Sequence, residues 1–233
     1  MKILCVSDET DPLIYSRNVA KRYGDVDMVI GAGDLPLKYY EFIISSLNKD
    51  LYFVFGNHNL EGMGQFTKDA APVVGLNYDG SPQKVQMMPE FGGGEYIDGK
   101  VVYDKRHDLI IAGLGGSLRY NRGKNQFTDR EMRNRIRRMY PRLLWNKLIH
   151  GRYVDILVTH APPLGINDDV DRCHTGFTSF LLFIRKFKPK YLVHGHVHLL
   201  DLNQERVVQY GQTKIINVYQ SYVLDDPELG KKQ

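Results

Sequence analysis

The amino-acid sequence predicts an α/β protein, because two patterns alternate along it. Short runs of apolar and β-branched residues recur at the length of buried strands. Segments of helical length, with apolar residues three and four positions apart, lie between several of these runs. This alternation is typical of an α/β sheet. The predicted strands are Ile3–Val6, Met28–Ile30, Leu51–Phe55, Leu109–Ala112, Ile156–Thr159, Tyr191–Val193 and Ile215–Tyr219, and the predicted helices are Leu13–Tyr23, Leu37–Leu47 and Phe177–Phe187.

Two stretches indicate antiparallel strands in addition. Asp98-Gly99, within Glu95–Asp104, is a hairpin signal because this pair tolerates the positive φ of a tight turn. A second hairpin is expected over Leu199–Val208, around Asn203. One mixed sheet or two facing sheets therefore fit the sequence better than a purely parallel sheet.

A further helix is predicted to begin near Asp129. Thr128 and Glu131 have the spacing of a capping box, in which each side chain bonds a free amide at the helix start. Apolar residues follow at helical spacing, and Pro141 is expected to end or kink the helix because proline lacks an amide donor.

The composition is that of a globular protein. Hydrophobic residues make up 42% and charged residues 25% of the 233 positions, so one domain over residues 1–224 is expected, followed by a polar tail over 225–233. The first apolar run is too short for a signal peptide, and no window approaches the roughly 20 apolar residues of a membrane span, so no membrane insertion is expected. With only two cysteines, a reducing cytoplasm is the expected compartment.

The net charge of +4 is unevenly distributed, because residues 117–152 are strongly basic. Such a segment could attract an anionic substrate, nucleic acid or an acidic partner, and it could equally be the solvated face of a helix. Its basic residues are Arg119, Arg122, Lys124, Arg130, Arg133, Arg135, Arg137, Arg138, Arg142, Lys147 and Arg152, opposed by Asp129 and Glu131.

Polar residues that can bind metal follow five of the predicted strands. Since ligands of α/β sheets bind beyond the carboxyl ends of the strands, these residues can converge although they are distant in sequence. Oxygen and imidazole donors together suit borderline divalent ions such as Mn, Fe, Zn or Co. Taken singly, the aspartates could cap helices and the histidines could be structural. The residues are Asp8, Asp34, Asn57, His58, His160, His196 and His198.

These residues resemble the motifs of the calcineurin-like metallophosphoesterases, over nearly the whole chain. The family carries Asp-x-His, Gly-Asp, Gly-Asn-His-Asp/Glu, a lone His and Gly-His-x-His in that order. The corresponding stretches here are Asp8-Glu9-Thr10, Gly33-Asp34, Gly56-Asn57-His58-Asn59, His160 and Gly195-His196-Val197-His198. The resemblance implies a four-layer α/β/β/α sandwich with two mixed β-sheets.

The resemblance also implies two divalent metal ions and a role for each motif residue. Asp34 would bridge both ions, Asp8 and His198 would bind the first, and Asn57, His160 and His196 would bind the second. His58 would donate a proton or hydrogen bond to the substrate, so His58 and Asp34 are the implied catalytic residues. Manganese is favoured, with iron, zinc, cobalt or nickel as alternatives. In such centres the two ions share a hydroxide that attacks the phosphorus.

This chain departs from the family motifs at two positions. Thr10 stands where the family has a histidine ligand of the first ion, and Asp11, Glu9 or a water is expected to replace it. Asn59 stands where an acid follows the catalytic histidine, which removes a residue that would orient the imidazole of His58.

The expected activity is hydrolysis of a phosphate ester by a phosphodiesterase or phosphatase with a small or medium phosphorylated substrate. Asn57, His58, His174 and Arg119 are the candidate substrate-binding residues. Two alternatives remain open. The basic segment 117–152 could hold nucleic acid and make the protein a nuclease, or a degenerate first metal site could make it a non-catalytic scaffold of the same fold. The sequence does not indicate an oligomeric state.

Overall fold

The computed structural model describes residues 1–66, 73–76, 81–85, 93–201 and 204–230. Its strands are β1 Lys2–Ser7, β2 Met28–Gly31, β3 Asp50–Phe53, β4 Val73–Leu76, β5 Pro82–Val85, β6 Gly94–Tyr96, β7 Val101–Asp104, β8 Leu109–Leu114, β9 Ser117–Leu118, β10 Gln126–Phe127, β11 Ile156–Thr159, β12 Tyr191–His194, β13 Val207–Tyr210, β14 Thr213–Asn217 and β15 Gln220–Asp225. Its α-helices are α1 Val19–Tyr23, α2 Leu37–Leu47, α3 Asp129–His150 and α4 Thr178–Phe187, and a 3₁₀ turn covers Met63–Phe66.

Two large mixed sheets organise these elements. The first has the order β15-β1-β2-β3-β6, in which only β15 is antiparallel to its neighbour. The second has the order β13-β14-β12-β11-β8-β7, with antiparallel pairs at both edges and parallel pairs between them. β4 pairs with β5, and β9 with β10, outside the large sheets.

The two sheets face each other, and helices cover their outer surfaces. Ile3 and Cys5 of β1 point into the core between the sheets, together with Ile156 and Val158 of β11. The alternate side chains of β1 pack against α1 and α2, and the outer surface of the second sheet packs against α3 and α4. Because both faces of the central strands are buried, these strands consist of continuous apolar runs. The predicted α/β fold with two mixed sheets in an α/β/β/α sandwich is confirmed.

Both predicted hairpins are wrong in detail. Asp98-Gly99 connects β6 of the first sheet to β7 of the second, so the positive φ of Gly99 serves a crossover between sheets. β7 instead pairs with β8. In the second case Asn203 lies outside the described residues, and the antiparallel pair is formed by β13 and β14 around Gly211. At Asp98-Gly99, the local turn signal does not identify the partner strand, which depends on contacts between the sheets.

Pro141 lies inside α3, so of the two predicted outcomes, an end or a kink at this residue, the end does not occur. Pro141 is exposed to solvent. Met139 before it and Leu143 after it in the sequence are buried against the second sheet. Burial of both halves of the helix can offset the roughly 3 kcal/mol cost of an internal proline. Thr128 and Glu131 form the predicted capping box.

Two other boundaries differ from the sequence prediction. The first helix covers only Val19–Tyr23 of the expected Leu13–Tyr23, because the preceding residues form turns. Of the residues expected in a polar tail, Asp225 ends β15, and Leu229 lies in the core between the sheets. Within the described residues, no helix combines the length and apolarity that crossing a bilayer would require.

Candidate metal centre

The predicted ligands lie on loops that leave the two sheets at the same edge. Asp8, Asp34 and Asn57 follow the adjacent parallel strands β1, β2 and β3, and His160 and His196 follow the adjacent parallel strands β11 and β12. Hydrogen bonds join the loops of the two sheets. The most direct is from the amide of His196 to both carboxylate oxygens of Asp8, at 2.9 and 3.0 Å.

Three of these residues have a strained backbone. Asp8, Asp34 and His196 have φ angles of 65°, 57° and 69°, in the left-handed region that non-glycine residues rarely adopt. Each such residue costs on the order of 1–3 kcal/mol, and such residues concentrate at functional sites. Each of these residues lies just beyond the end of its strand, so the left-handed conformation occurs where the chain turns into the site.

Asp34, His160 and His196 form a buried cluster whose potential ligand atoms all lie within 4.8 Å of one another. The Nε2 atom of His160 lies 3.2 Å from Oδ2 of Asp34, although the two are not in hydrogen-bonding geometry. The imidazole rings of His160 and His196 are 4.8 Å apart. A carboxylate and two imidazoles at this spacing are a suitable donor set for a borderline divalent ion.

Hydrogen bonds to main-chain carbonyls orient both imidazoles. Nδ1 of His160 lies 2.9 Å from the carbonyl oxygen of Ala32, and Nε2 of His196 lies 2.7 Å from that of Cys173. Because a carbonyl only accepts, each of these nitrogens carries a hydrogen. In the neutral rings, Nε2 of His160 and Nδ1 of His196 therefore keep their lone pairs for a metal, as is usual for metal-binding histidines.

The charges of the cluster are strongly coupled. Burial lowers the pKa of His160, but the carboxylates of Asp34 and Asp8 outweigh this effect and raise it to about 9. Burial raises the pKa of Asp34, but the nearby His160 outweighs this effect and lowers it to about 2. Burial lowers the pKa of His196 to about 3. Without a metal ion, a proton on His160 therefore compensates the negative charge of Asp34.

Asn57 offers an oxygen with no hydrogen-bond partner among the described residues. Its Nδ2 donates to the hydroxyl of Tyr120 at 3.2 Å, and its buried Oδ1 has no partner. A buried amide oxygen without a partner is costly, and a metal ion would satisfy it. The loop between β9 and β10 supports this residue further, because Nδ2 of Asn125 donates to the carbonyl of Gly56 at 2.6 Å. Tyr120 and Asn125 were not predicted, since nothing in the local sequence relates them to β3.

Glycines precede two of the site residues because the carboxylates lie too close to admit a side chain. A Cβ atom at Gly56 would overlap with Oδ1 of Asp34, and one at Gly195 would overlap with Oδ2 of Asp8. These two glycines therefore allow the close approach of backbone and carboxylate at the site.

Asp8 and His198 lie together beside this cluster, as the predicted ligands of a first ion would. The side chain of Asp8 is only 1% exposed, and its Oδ1 lies 3.8 Å from Nε2 of His198. His198 is half-exposed and stacks on Tyr219, with ring centroids 4.8 Å apart. Burial raises the pKa of Asp8, which a cation nearby would reverse.

The carboxylates that flank Thr10 are engaged elsewhere. Asp11 is buried, and its two oxygens accept hydrogen bonds from the amide of Leu13 and the hydroxyl of Ser221. Glu9 is exposed and accepts a hydrogen bond from Nε2 of Gln220 at 3.3 Å. Neither belongs to the buried cluster.

His58 is exposed at the mouth of the site, as a group that meets a substrate would be. Its amide donates to Oδ1 of Asp34 at 2.7 Å, which fixes the backbone of the loop. Nδ2 of Asn59 donates to the carbonyl oxygen of Asp34 at 2.7 Å. Asn59 therefore joins the β2 and β3 loops in this structure.

The two other predicted substrate contacts have different surroundings. The imidazole of His174 is 5.2 Å from that of His196 and bonds to Oδ2 of Asp171 at 2.7 Å, so His174 borders the cluster. Arg119 bonds to Glu131 at 2.9 Å and to the carbonyl of Gln126 at 3.2 Å. These bonds join Arg119 to the start of α3, and its contact with substrate stays a prediction.

The chain matches the model of the calcineurin-like phosphoesterase family. The family model covers residues 1–200, and the chain belongs to this family. Proteins of the family bind divalent metal ions, and the resemblance inferred from the motifs is confirmed.

Individual relatives extend over most of this chain. UPF0046 protein K07C11.7 of Caenorhabditis elegans is 28% identical over 94% of this chain and 70% of its own length. UPF0046 protein C25E10.12 of the same organism is 24% identical over 93% of this chain and 74% of its own length. Among solved structures, TT1561 of Thermus thermophilus has a TM-score of 0.57 at 12% identity, covering 94% of this chain and 88% of that one. This likeness supports the fold.

Proposed function

We propose that this protein is a metal-dependent phosphoesterase that hydrolyses a small or medium phosphate ester at a dinuclear centre. The buried cluster of Asp34, His160 and His196 is the observation that carries the proposal. Beside this cluster, the buried Oδ1 of Asn57 has no hydrogen-bond partner among the described residues, and a metal ion would satisfy it.

In the proposed centre, the predicted ligands would be divided between two ions. Oδ1 of Asp34 accepts a hydrogen bond from the amide of His58, and Oδ2 faces His160; this carboxylate would contact both ions. Asn57, His160 and His196 would hold one ion, and Asp8 and His198 the other. Two bound ions would lower the pKa of a water nucleophile and neutralise charge on the phosphoryl group.

The chain itself supplies positioning and proton transfer. His58 stands exposed beside the buried centre, where its imidazole can donate a proton or hydrogen bond to the leaving oxygen. The carbonyls of Ala32 and Cys173 hold the two buried imidazoles in one orientation. Asn59 braces the loop that carries His58.

The first ion is expected to bind more weakly than the second. Thr10 supplies no imidazole, and the hydrogen bonds of Asp11 and Glu9 favour water as the replacement ligand. His198 is half-exposed, so the first ion would retain much of its hydration. A hydrated site with oxygen ligands suits manganese, which we favour over iron, zinc, cobalt and nickel.

A cavity of about 310 Å³ beside His198 supports a small or medium substrate over a nucleic acid. Its volume suits a compound of drug-like size. Asp168, Asp169 and Glu205 line it, and their charge would repel the additional phosphates of a polynucleotide. The nuclease therefore remains the second candidate, tested by the dependence of binding on salt.

The test combines metal analysis with hydrolysis. Elemental analysis of the purified protein should find about two ions per chain after loading with manganese. The protein should hydrolyse bis-p-nitrophenyl or p-nitrophenyl phosphate, and His196→Ala should abolish both tight metal binding and turnover. His150→Ala, at the C-terminal end of α3, is the matched control and should retain both. A protein that takes up no metal and shows no turnover would favour the scaffold alternative.

A further inference from the structure

The solvent-facing side of α3 changes character along its length. In its first half the exposed side chains are mainly arginines, and in its last two turns they are large and apolar. The opposite side of the helix is buried against the second sheet. The exposed apolar residues are Leu144 (54% exposed), Trp145 (54%), Leu148 (76%) and Ile149 (55%).

The spacing of these residues places them on one continuous face. Positions three and four apart lie side by side on a helix, so Pro141 is followed on the same side by Leu144, Trp145 and Leu148. Arg137 and Arg138 precede Pro141 on this side. We call the side formed by Arg130, Arg137, Arg138, Pro141, Leu144, Trp145, Leu148 and Ile149, with Arg142 at its edge, the outer face of α3.

The positive charge of this face is largely unneutralised. The two acidic residues of α3 lie in its first turn, where Asp129 pairs with Arg133 and Glu131 pairs with Arg119. Within the described ranges, Arg130, Arg138 and Arg142 have no carboxylate partner. An exposed apolar cluster beside unpaired arginines indicates a surface that is covered in use.

We propose that the outer face of α3 docks the protein peripherally on an anionic lipid bilayer. Tryptophan, leucine and isoleucine would enter the boundary between headgroups and acyl chains, and the arginines would bind anionic headgroups. The helix would lie on the membrane surface and would not cross it. This places the proposed hydrolase beside a membrane without requiring any particular substrate.

Charge and shape favour a bilayer over a second copy of the chain. A two-fold partner would present the same face, which offers no free carboxylate to the arginines. The outer face is the convex side of a single helix, and its exposed apolar side chains are all large. A fluid bilayer can accommodate such a surface, whereas a protein partner would need a matching groove.

Trp145 reports directly on this proposal because it is the only tryptophan of the chain. Its emission should shift to the blue when vesicles of phosphatidylcholine and phosphatidylserine are added, and brominated acyl chains should quench it. Vesicles of phosphatidylcholine alone should bind at least about fivefold more weakly, since each basic residue near an anionic surface contributes to binding. Added salt should weaken binding to the anionic vesicles.

Two double variants separate the apolar from the basic contribution. Leu148→Gln with Ile149→Gln keeps the reporter and should weaken vesicle binding by about tenfold or more, because buried apolar area is lost. Arg138→Gln with Arg142→Gln should weaken binding to anionic vesicles by about 25-fold. The control is Leu13→Gln with Arg17→Gln. It changes an exposed leucine and an exposed arginine that precede α1, away from α3, and should leave vesicle binding unchanged.

Three results would overturn the proposal. Emission from Trp145 that does not respond to anionic vesicles would show that the face does not enter a bilayer. Vesicle binding that survives in both double variants would place the contact elsewhere. A dimer detected by sedimentation, and dispersed by Leu148→Gln with Ile149→Gln, would identify the face as an interface between copies of the chain.

Discussion

The charge of the buried cluster makes metal binding depend steeply on pH. The pKa of His160 is raised to about 9 in the metal-free protein, so near neutrality this imidazole carries a proton. A metal ion needs the neutral ring and must displace that proton. His196, with a pKa lowered to about 3, is already neutral and releases none. Each ion bound at this cluster should therefore release about one proton from His160.

This linkage gives a numerical expectation. While the pH stays below the pKa of His160, apparent affinity should rise about tenfold per pH unit, or about 100-fold between roughly pH 6 and pH 8. Isothermal titration calorimetry with manganese, in buffers of different ionisation enthalpy, measures both the affinity and the number of protons released. His150→Ala should show the same slope. An affinity that is constant over this range, with no proton released, would refute the assignment of His160 as a ligand at this cluster.

The same charges, and two further contacts, give three more predictions. In the metal-free protein, the raised pKa of His160 contributes stability that is present below about pH 6.5 and lost as pH rises through about 9, so urea unfolding with chelator should show a loss of roughly 3 kcal/mol across this window. His58→Ala should lower kcat by about 100-fold or more while elemental analysis finds unchanged metal content, and a loss of metal would make His58 a ligand instead. Asp98→Ala should destabilise the protein by about 3 kcal/mol in urea, because it leaves the guanidinium of Arg135, only 14% exposed, without its carboxylate. In the exposed pair Lys2–Asp25, Asp25→Ala should leave the midpoint of urea unfolding nearly unchanged, and an equal effect of both variants would contradict this account of Asp98.

The strands, and the candidate metal-binding residues in the loops that follow them, could be predicted from the sequence because both depend on local patterns. Apolar runs such as Met28–Ile30 mark strands buried on both faces, and the metal-binding residues follow where the strands end. The capping box of Thr128 and Glu131 was also predicted from local sequence, and the structure confirms it. These features need no knowledge of distant contacts.

The features of the fold and the site that the sequence did not predict depend on contacts between distant parts of the chain. Asp98-Gly99 has the sequence of a hairpin turn, but its flanking strands join different sheets. Pro141 is tolerated because both halves of α3 are buried on the same sheet. Tyr120 reaches Asn57 across 63 positions, and no local pattern could reveal it. The exposed apolar turns of α3 were also missed, because periodicity does not state which side of a helix is covered.

The replacement of histidine by Thr10 was visible in the sequence, but its consequence was not. Three replacements were open, and the hydrogen bonds of Asp11 to Leu13 and Ser221 could be known only from the structure. Asp11 stabilises the turn after β1 and the edge strand β15. The proposed first site therefore differs from the proposed second site in the number of its candidate ligands and in their exposure.

The proposed function requires that the cluster of Asp34, His160 and His196 binds a divalent ion. Crystals grown with manganese, with anomalous diffraction recorded at a wavelength where manganese scatters strongly, would test it most directly. We expect a strong anomalous peak among these three residues, with Oδ1 of Asn57 as a further ligand, and a weaker peak beside Asp8 and His198. A map with no peak at the cluster, in a protein saturated with manganese, would contradict the metal centre and with it the proposed phosphoesterase.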